Sequence, residues 1–316
     1  MKFGCLLFTF LLLATSVRAQ DTDAVADLTQ STFRASVDVV ALSVVVTARD
    51  KFVAGLTAEA FAVFEDGIRQ DVSFFAASAV PLDLAILLDT SASMTDKILT
   101  VQQAAIGFVS SLRPEDRVVV IDIKDGARIA VPLGTDVEAA KQAIRATHAK
   151  GGTALYNGLY LALKEMVKQR RANGEVRRQA IVVLSDGEDT SSLMAFDDVM
   201  ALAKEAGISI YTIQLKSKYP TPTAIANKQR YFSQSDYAMK ALAQETGARA
   251  FFPASIEELS GVYGLIAEEL ANQYSIGYTS KNPRRDGLYR RVIVRVSDPP
   301  GVQTRTRTGY FAARLN

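Results

Sequence analysis

One cysteine, one histidine and no tryptophan occur in 316 residues, and each scarcity removes a class of chemistry. Cys5 lies in the apolar start of the chain, so the remainder holds no disulfide, no thiol nucleophile and no cysteine-based zinc site. His148 would have to serve any catalytic triad alone. No Gly-x-Ser-x-Gly elbow and no Gly-x-x-x-x-Gly-Lys-[Ser/Thr] phosphate loop occurs, which argues against acyl and nucleotide hydrolysis. After the first residues no second long apolar run follows, and neither charge is in real surplus, with 36 Lys and Arg against 34 Asp and Glu.

The start has the layout of a secretory signal peptide. Met1-Lys2 precedes an almost wholly apolar run over residues 6–14, and Val17-Arg18-Ala19 puts small residues at a cleavage point. The run is too short to span a bilayer. The sequence therefore predicts removal of residues 1–19, an exported product in the periplasm or outside the cell, and no transmembrane segment in the mature chain. Cleavage would remove Lys2 and Arg18 and leave 34 residues of each sign. Bulk attraction to nucleic acid or anionic membrane is not expected of such a chain. Residues 20–33 are polar and acidic and predict a disordered start.

Three stretches then differ in period. Over residues 34–79 apolar positions alternate: Val40, Leu42, Val44 and Val46 share one side, the period-two mark of a strand. Asp66-Gly67 divides two shorter runs and suits a tight hairpin. Over residues 80–273 the pattern changes. A continuous apolar run at residues 84–88 predicts a strand buried on both faces, residues 118–123 a second buried strand, 180–184 another apolar strand, and 208–215 a further strand. Residues 127–133 predict a hairpin partner for the second run, and residues 248–252 a last short strand. Between them lie amphipathic helices, one of them striped by Ile98, Val101, Ala105, Phe108 and Leu112. Strands alternating with helices imply an α/β fold: a doubly wound, mostly parallel, six-stranded sheet with helices on both faces. Residues 274–314 return to alternation. Strand-only flanks on both sides of such a body suggest one β-sandwich split by it, with two independent β extensions as the other arrangement.

The first buried strand ends in Asp89-Thr90-Ser91-Ala92-Ser93. Oxygen side chains at the carboxyl end of an α/β strand stand where ligands bind. Asp89, Ser91 and Ser93 can converge on a hard cation such as Mg²⁺ or Mn²⁺, and such a donor set does not suit zinc or copper. Gly151-Gly152-Thr153 brings a hydroxyl ahead of the next helix, and Ser185-Asp186-Gly187 brings a carboxylate from the end of another strand.

In these motifs the sequence resembles the von Willebrand factor type A domain with its metal-ion-dependent adhesion site: Asp89-x-Ser91-x-Ser93, then Thr153, then Asp186, in the order and loop contexts of that family. The similarity covers about three fifths of the chain. The β flanks resemble those of secreted acidobacterial proteins of the type A group. The resemblance implies a Rossmann-like domain in which Ser91, Ser93 and Thr153 ligate Mg²⁺ (or Mn²⁺ or Ca²⁺) directly, with Asp89 and Asp186 acting directly or through water. It implies a protein partner whose Asp or Glu carboxylate completes the coordination sphere; the missing enzyme motifs, not the resemblance, are what leave no catalytic residue to expect.

Other readings stay open at this level. Ser93 or Thr95, and Thr153, could instead cap the following helices. A metal site could be purely structural in a scaffold or envelope-assembly factor, and a weak Mg²⁺-dependent hydrolase is a further alternative. A haloacid-dehalogenase-type phosphotransferase needs a second acid where Ser91 stands. The segment from Lys216 to Tyr237 predicts an excursion from the metal-bearing edge, and Tyr219, Arg230, Tyr231 and Phe232 are its candidate partner contacts. Arg291, Arg295, Arg305 and Arg307 predict a basic stripe along one sheet face.

Overall fold

Alternating apolar residues bury one side of a strand only when a second layer covers it. The computed structural model describes residues 39–77, 80–173, 176–186, 188–215, 233–298 and 300–314, so the expected signal peptide and polar start, residues 1–33, lie outside the described residues. In β1 (Val39–Ala48), Val40, Leu42, Val44 and Val46 are all buried. β2 (Lys51–Phe52), β3 (Phe61–Glu65), β4 (Ile68–Gln70) and β5 (Val72–Ala77) follow. Asp66 and Gly67 join β3 to β4 with φ of 48° and 85°. Two positive values in succession make the turn whose twist matches a hairpin, and glycine takes the second without steric cost.

The α/β body comprises β6 (Leu82–Asp89), α1 (Ile98–Ser110), β7 (Arg117–Ile123), β8 (Ala127–Gly134), α2 (Val137–Arg145), α3 (Leu155–Asn173), β9 (Arg178–Ser185), α4 (Phe196–Ala206), β10 (Ser209–Gln214), α5 (Gln234–Glu245), β11 (Ala250–Phe251) and α6 (Leu259–Ala271). Its six strands lie in the order β11-β10-β9-β6-β7-β8, all parallel except β8, which runs antiparallel to β7. β6 is buried along its whole length because both faces are covered. Leu82, Leu84, Ile86 and Leu88 pack with α1, α2 and α6, whereas Ala85 and Leu87 pack with α3, α4 and α5.

β12 (Tyr274–Thr279), β13 (Tyr289–Val296), β14 (Gln303–Arg305) and β15 (Gly309–Phe311) complete the chain. Strands from the two ends pair with each other. One sheet runs β14-β1-β12-β5 with β2 on β1, and the other runs β15-β13-β3-β4. Val44, Phe61, Val63, Tyr274, Ile276, Val292 and Val294 share the core between them. Ala77, the last residue of β5, is the cross-strand partner of Tyr274, the first of β12. The chain therefore leaves and re-enters the sandwich on adjacent strands, with the α/β body between. Glu65 cross-links the flanks from inside: its carboxylate accepts from Tyr278 Oη and Tyr310 Oη, both at 2.9 Å, and from Ser280 Oγ at 2.5 Å.

Two expectations need correction. α5 starts at Gln234, inside the segment expected to be an excursion, because Ser233 Oγ accepts from the Asp236 amide while Asp236 Oδ2 accepts from the Ser233 amide, a reciprocal cap. Tyr237 thus belongs to a helix and not to an excursion. The four arginines do not form one stripe, since β13 and β14 belong to different sheets. Arg291 and Arg295 are exposed, whereas Arg305 turns to the α/β body, pairing with Glu269 at 2.5 Å and donating to the Gly247 carbonyl at 2.7 Å.

Candidate metal centre

β7 and β9 pair with opposite edges of β6. The order of strands reverses there, and the loops leaving β6 and β9 part at their carboxyl ends, the position where open α/β sheets bind ligands. Parallel register sets Leu88 beside Leu184, so Asp89 and Ser185 leave neighbouring strands at one level. Ser185 Oγ donates to Asp89 Oδ2 at 2.6 Å, and the Ser91 amide donates to Oδ1 at 2.9 Å. Asp89 has no exposed surface. Burial pushes its carboxyl above the usual range; the bonds from Ser185 and Ser91 oppose that rise, and the negative charge of Asp186 adds to it. A carboxylate in this position favours a neighbouring cation.

Beyond Asp89 the backbone makes a 3-10 turn, Ala92–Met94, fastened to the core by the fully buried Met94. The turn sets Ser91 Oγ 2.9 Å from Ser93 Oγ, and Ser93 Oγ donates to Asp186 Oδ1 at 2.7 Å. The second oxygen of Asp186 is taken by the ammonium of Lys97. Ser93 does not cap α1, which begins after Lys97 with no side-chain cap, and Thr95 Oγ1 donates to the Ala92 carbonyl at 2.7 Å.

The third loop is held close by glycine. Gly151 has φ of 78°, and a Cβ there would stand 2.3 Å from Asp125 Oδ2. Asp125 Oδ1 accepts from the Gly152 amide at 2.6 Å. The loop is tied to the first one by bonds from the Ala92 amide to the Gly151 carbonyl (2.9 Å) and from the Lys150 amide to the Thr90 carbonyl (2.8 Å). Both backbone groups of Thr153 pair with Thr190: its amide donates to Thr190 Oγ1 at 3.0 Å, and its carbonyl accepts from the Thr190 amide at 2.9 Å. Its hydroxyl takes no part in these bonds. At the start of α3 the Tyr156 amide donates to Asp189 Oδ2 at 2.9 Å, so the capping role falls to Asp189.

All five residues singled out from the sequence therefore sit on three loops that are hydrogen-bonded to one another at one sheet edge. Asp89, Ser91, Thr153 and Asp186 are buried, whereas Ser93 is exposed and marks the mouth. Every side-chain donor in the set is a hard oxygen, which fits Mg²⁺, Mn²⁺ or Ca²⁺. Among the described residues no group of three or more His, Cys, Asp or Glu could hold an ion, so a cation here would depend on the hydroxyls. Sequence reasoning missed Lys97, Asp125, Ser185 and Thr190 as members of the site. Ser185 adjoins Asp186 and was within reach, but Lys97 and Asp125 belong to no recognisable motif. Tyr219, Arg230, Tyr231 and Phe232 lie outside the described residues. His148 is exposed.

Fold and edge together define a doubly wound α/β domain with a polar site at its strand-order reversal. A family model described as the von Willebrand factor type A domain matches residues 83–261, and the chain belongs to that family. An uncharacterized protein of Synechocystis sp. is 36% identical over 113 residues, 35% of this chain and 26% of that protein. A UPF0353 protein of Mycolicibacterium paratuberculosis is 27% identical over 199 residues, 58% of this chain and 59% of that one. The chain thus spans about a quarter and about six tenths of these two relatives. Among solved structures, a von Willebrand factor type A protein from Catenulispora acidiphila superposes with a TM-score of 0.51 at 13% identity, over 90% of this chain and 76% of that one. At that identity the likeness is one of fold, and it extends beyond the α/β body.

Proposed function

We propose that this protein is an exported adhesion or assembly module that captures a partner protein through a divalent cation, Mg²⁺ in the first instance. The observation that carries the reading is the continuous line of oxygens from Ser91 through Ser93 to Asp186, beside the buried carboxylate of Asp89. Ser91, Ser93 and Thr153 would hold the ion, with Asp89 and Asp186 supplying the charge that balances it. When bound, the ion offers an anionic oxygen a coordination position that the protein leaves free. The natural occupant is an Asp or Glu of the partner, and exposed Ser93 is where it would enter. The chain's own residues do the rest: Ser185 and the Ser91 amide orient Asp89, and Thr190 holds the Thr153 backbone. No catalytic step is assigned. The signal-peptide layout expected over residues 1–19 supports export, to the periplasm or beyond.

A second reading has its own support. Both oxygens of Asp186 already have protein donors, Ser93 and Lys97, as a closed structural network would require. Affinity capture from envelope and culture supernatant, in magnesium and in chelator, separates the two. Adhesion requires that wild type retain a partner in magnesium and release it in chelator, and that Asp89→Ala retain none. Capture that survives both chelator and Asp89→Ala belongs to the structural reading.

A further inference from the structure

Lys97 is a cation at this edge that the adhesion reading leaves without a role. It stands at the end of the turn after Ser93, where its amide donates to the Met94 carbonyl at 2.9 Å and its carbonyl accepts from the Val101 amide at 3.0 Å. Backbone on both sides is thereby held, and the side chain reaches back to Asp186. The pair is secluded: the Lys97 side chain is 12% exposed and that of Asp186 is 2% exposed. A buried carboxylate without a counter-charge is strongly destabilising, so the pairing answers a definite physical need in the metal-free protein. It answers the same need that a divalent cation would.

We propose that Lys97 is a resident counter-ion that occupies Asp186 while the site is metal-free and must release it for the cation to bind. This rests on the metal-binding reading above and deepens it. The ammonium of Lys97 pairs with Asp186, and Asp89 has no such partner among the described residues. Asp89 is then stabilised only by neutral donors, Ser185 Oγ and the Ser91 amide. A divalent ion entering beside Lys97 would meet a like charge within a few ångströms in a poorly solvated place. Lys97 therefore opposes binding twice, by holding a carboxylate oxygen and by repelling the ion. The consequence is a site that resists collapse when empty and releases its metal readily.

The test is the affinity for magnesium alone, measured by titration calorimetry on wild type, Lys97→Met and Lys97→Gln, with Lys97→Arg as the charge-preserving control. Both neutral variants should bind magnesium at least about tenfold more tightly, equivalent to about 1.4 kcal/mol, while the arginine variant stays near wild type. Unfolding in chelator supplies a second readout, because the neutral variants should be less stable than wild type without metal and regain that loss in magnesium. Lys97→Gln keeps a donor to Asp186 and guards against failure of the methionine variant to fold. Affinity that is unchanged or weaker in both neutral variants overturns the role of Lys97 and leaves the metal site standing. Absence of magnesium binding in wild type and in all variants overturns the metal reading and this inference with it.

Discussion

Asp89→Asn separates a carboxylate kept for a cation from one kept for the fold. The substitution preserves shape, and the new amide oxygen still accepts from the Ser91 amide that lies 2.9 Å from Asp89 Oδ1. Ser185 Oγ, 2.6 Å from Oδ2, can turn its lone pair toward the new amide group. What is lost is the charge-assisted character of two hydrogen bonds, about 1–2 kcal/mol in all. What is gained is relief from holding a charge where burial has pushed the carboxyl upward. These oppose one another, so metal-free Asp89→Asn should unfold within about 1 kcal/mol of wild type. Magnesium then distinguishes the two proteins. At one hundred times its dissociation constant a ligand adds about 2.7 kcal/mol to the folded state. At roughly 1.5–2 °C per kcal/mol for a chain of this size, wild type should rise by about 4–5 °C. Asp89→Asn should not move. Thermal unfolding followed by circular dichroism, in chelator and in saturating magnesium, measures all four states. A magnesium shift in Asp89→Asn equal to that of wild type would refute the reasoning, as would a metal-free loss above about 3 kcal/mol, the signature of a structural carboxylate.

Acid stability tests the opposite end of β6. Burial alone would raise the Asp116 carboxyl, but the Arg113 side chain and the amides of Leu82 and Arg113 lower it overall. A carboxylate depressed in the folded state contributes stability above its unfolded value, near 3.8, and loses it as pH falls through the folded value below that. Asp116→Asn should therefore cost about 1–3 kcal/mol at neutral pH and flatten the acid limb of stability against pH below about 4, as urea titrations across that range would show. In the sandwich, Glu65→Ala leaves Tyr278, Tyr310 and Ser280 without their acceptor and Arg290 without a charge 3.7 Å away. A loss of about 3–5 kcal/mol by denaturant unfolding is expected, and a loss under about 1 kcal/mol would mean that these bonds do not join the two flanks.

How far each element was legible depended on what its environment asks of it. The run over residues 84–88 announced β6 because helices cover both faces of that strand, which leaves no polar side to interrupt it. The start of α5 stayed hidden because its first turn is set by the Ser233–Asp236 cap, not by an apolar stripe. The arginines of residues 291–307 could be assigned to strands but not to sheets. Alternation identifies a side of a strand and says nothing of its neighbour, and β14 pairs with β1 from the other end of the chain. In the candidate site the residue types could be chosen because oxygen-bearing side chains at strand ends suit hard cations. Lys97 could not be, since a lysine ahead of a helix looks like any solvated charge until Asp186 is brought beside it.

The sequence by itself determined the kinds of layer and the chemical character of the edge, because periodicity and side-chain type are local properties. Only the tertiary structure decided that β1 lies against β12, that Asp89 is oriented by Ser185, and that Asp186 is shared between Ser93 and Lys97. Those partners are separated by some ninety residues or more along the chain, and nothing shorter-ranged than the packing of the whole sheet brings them together.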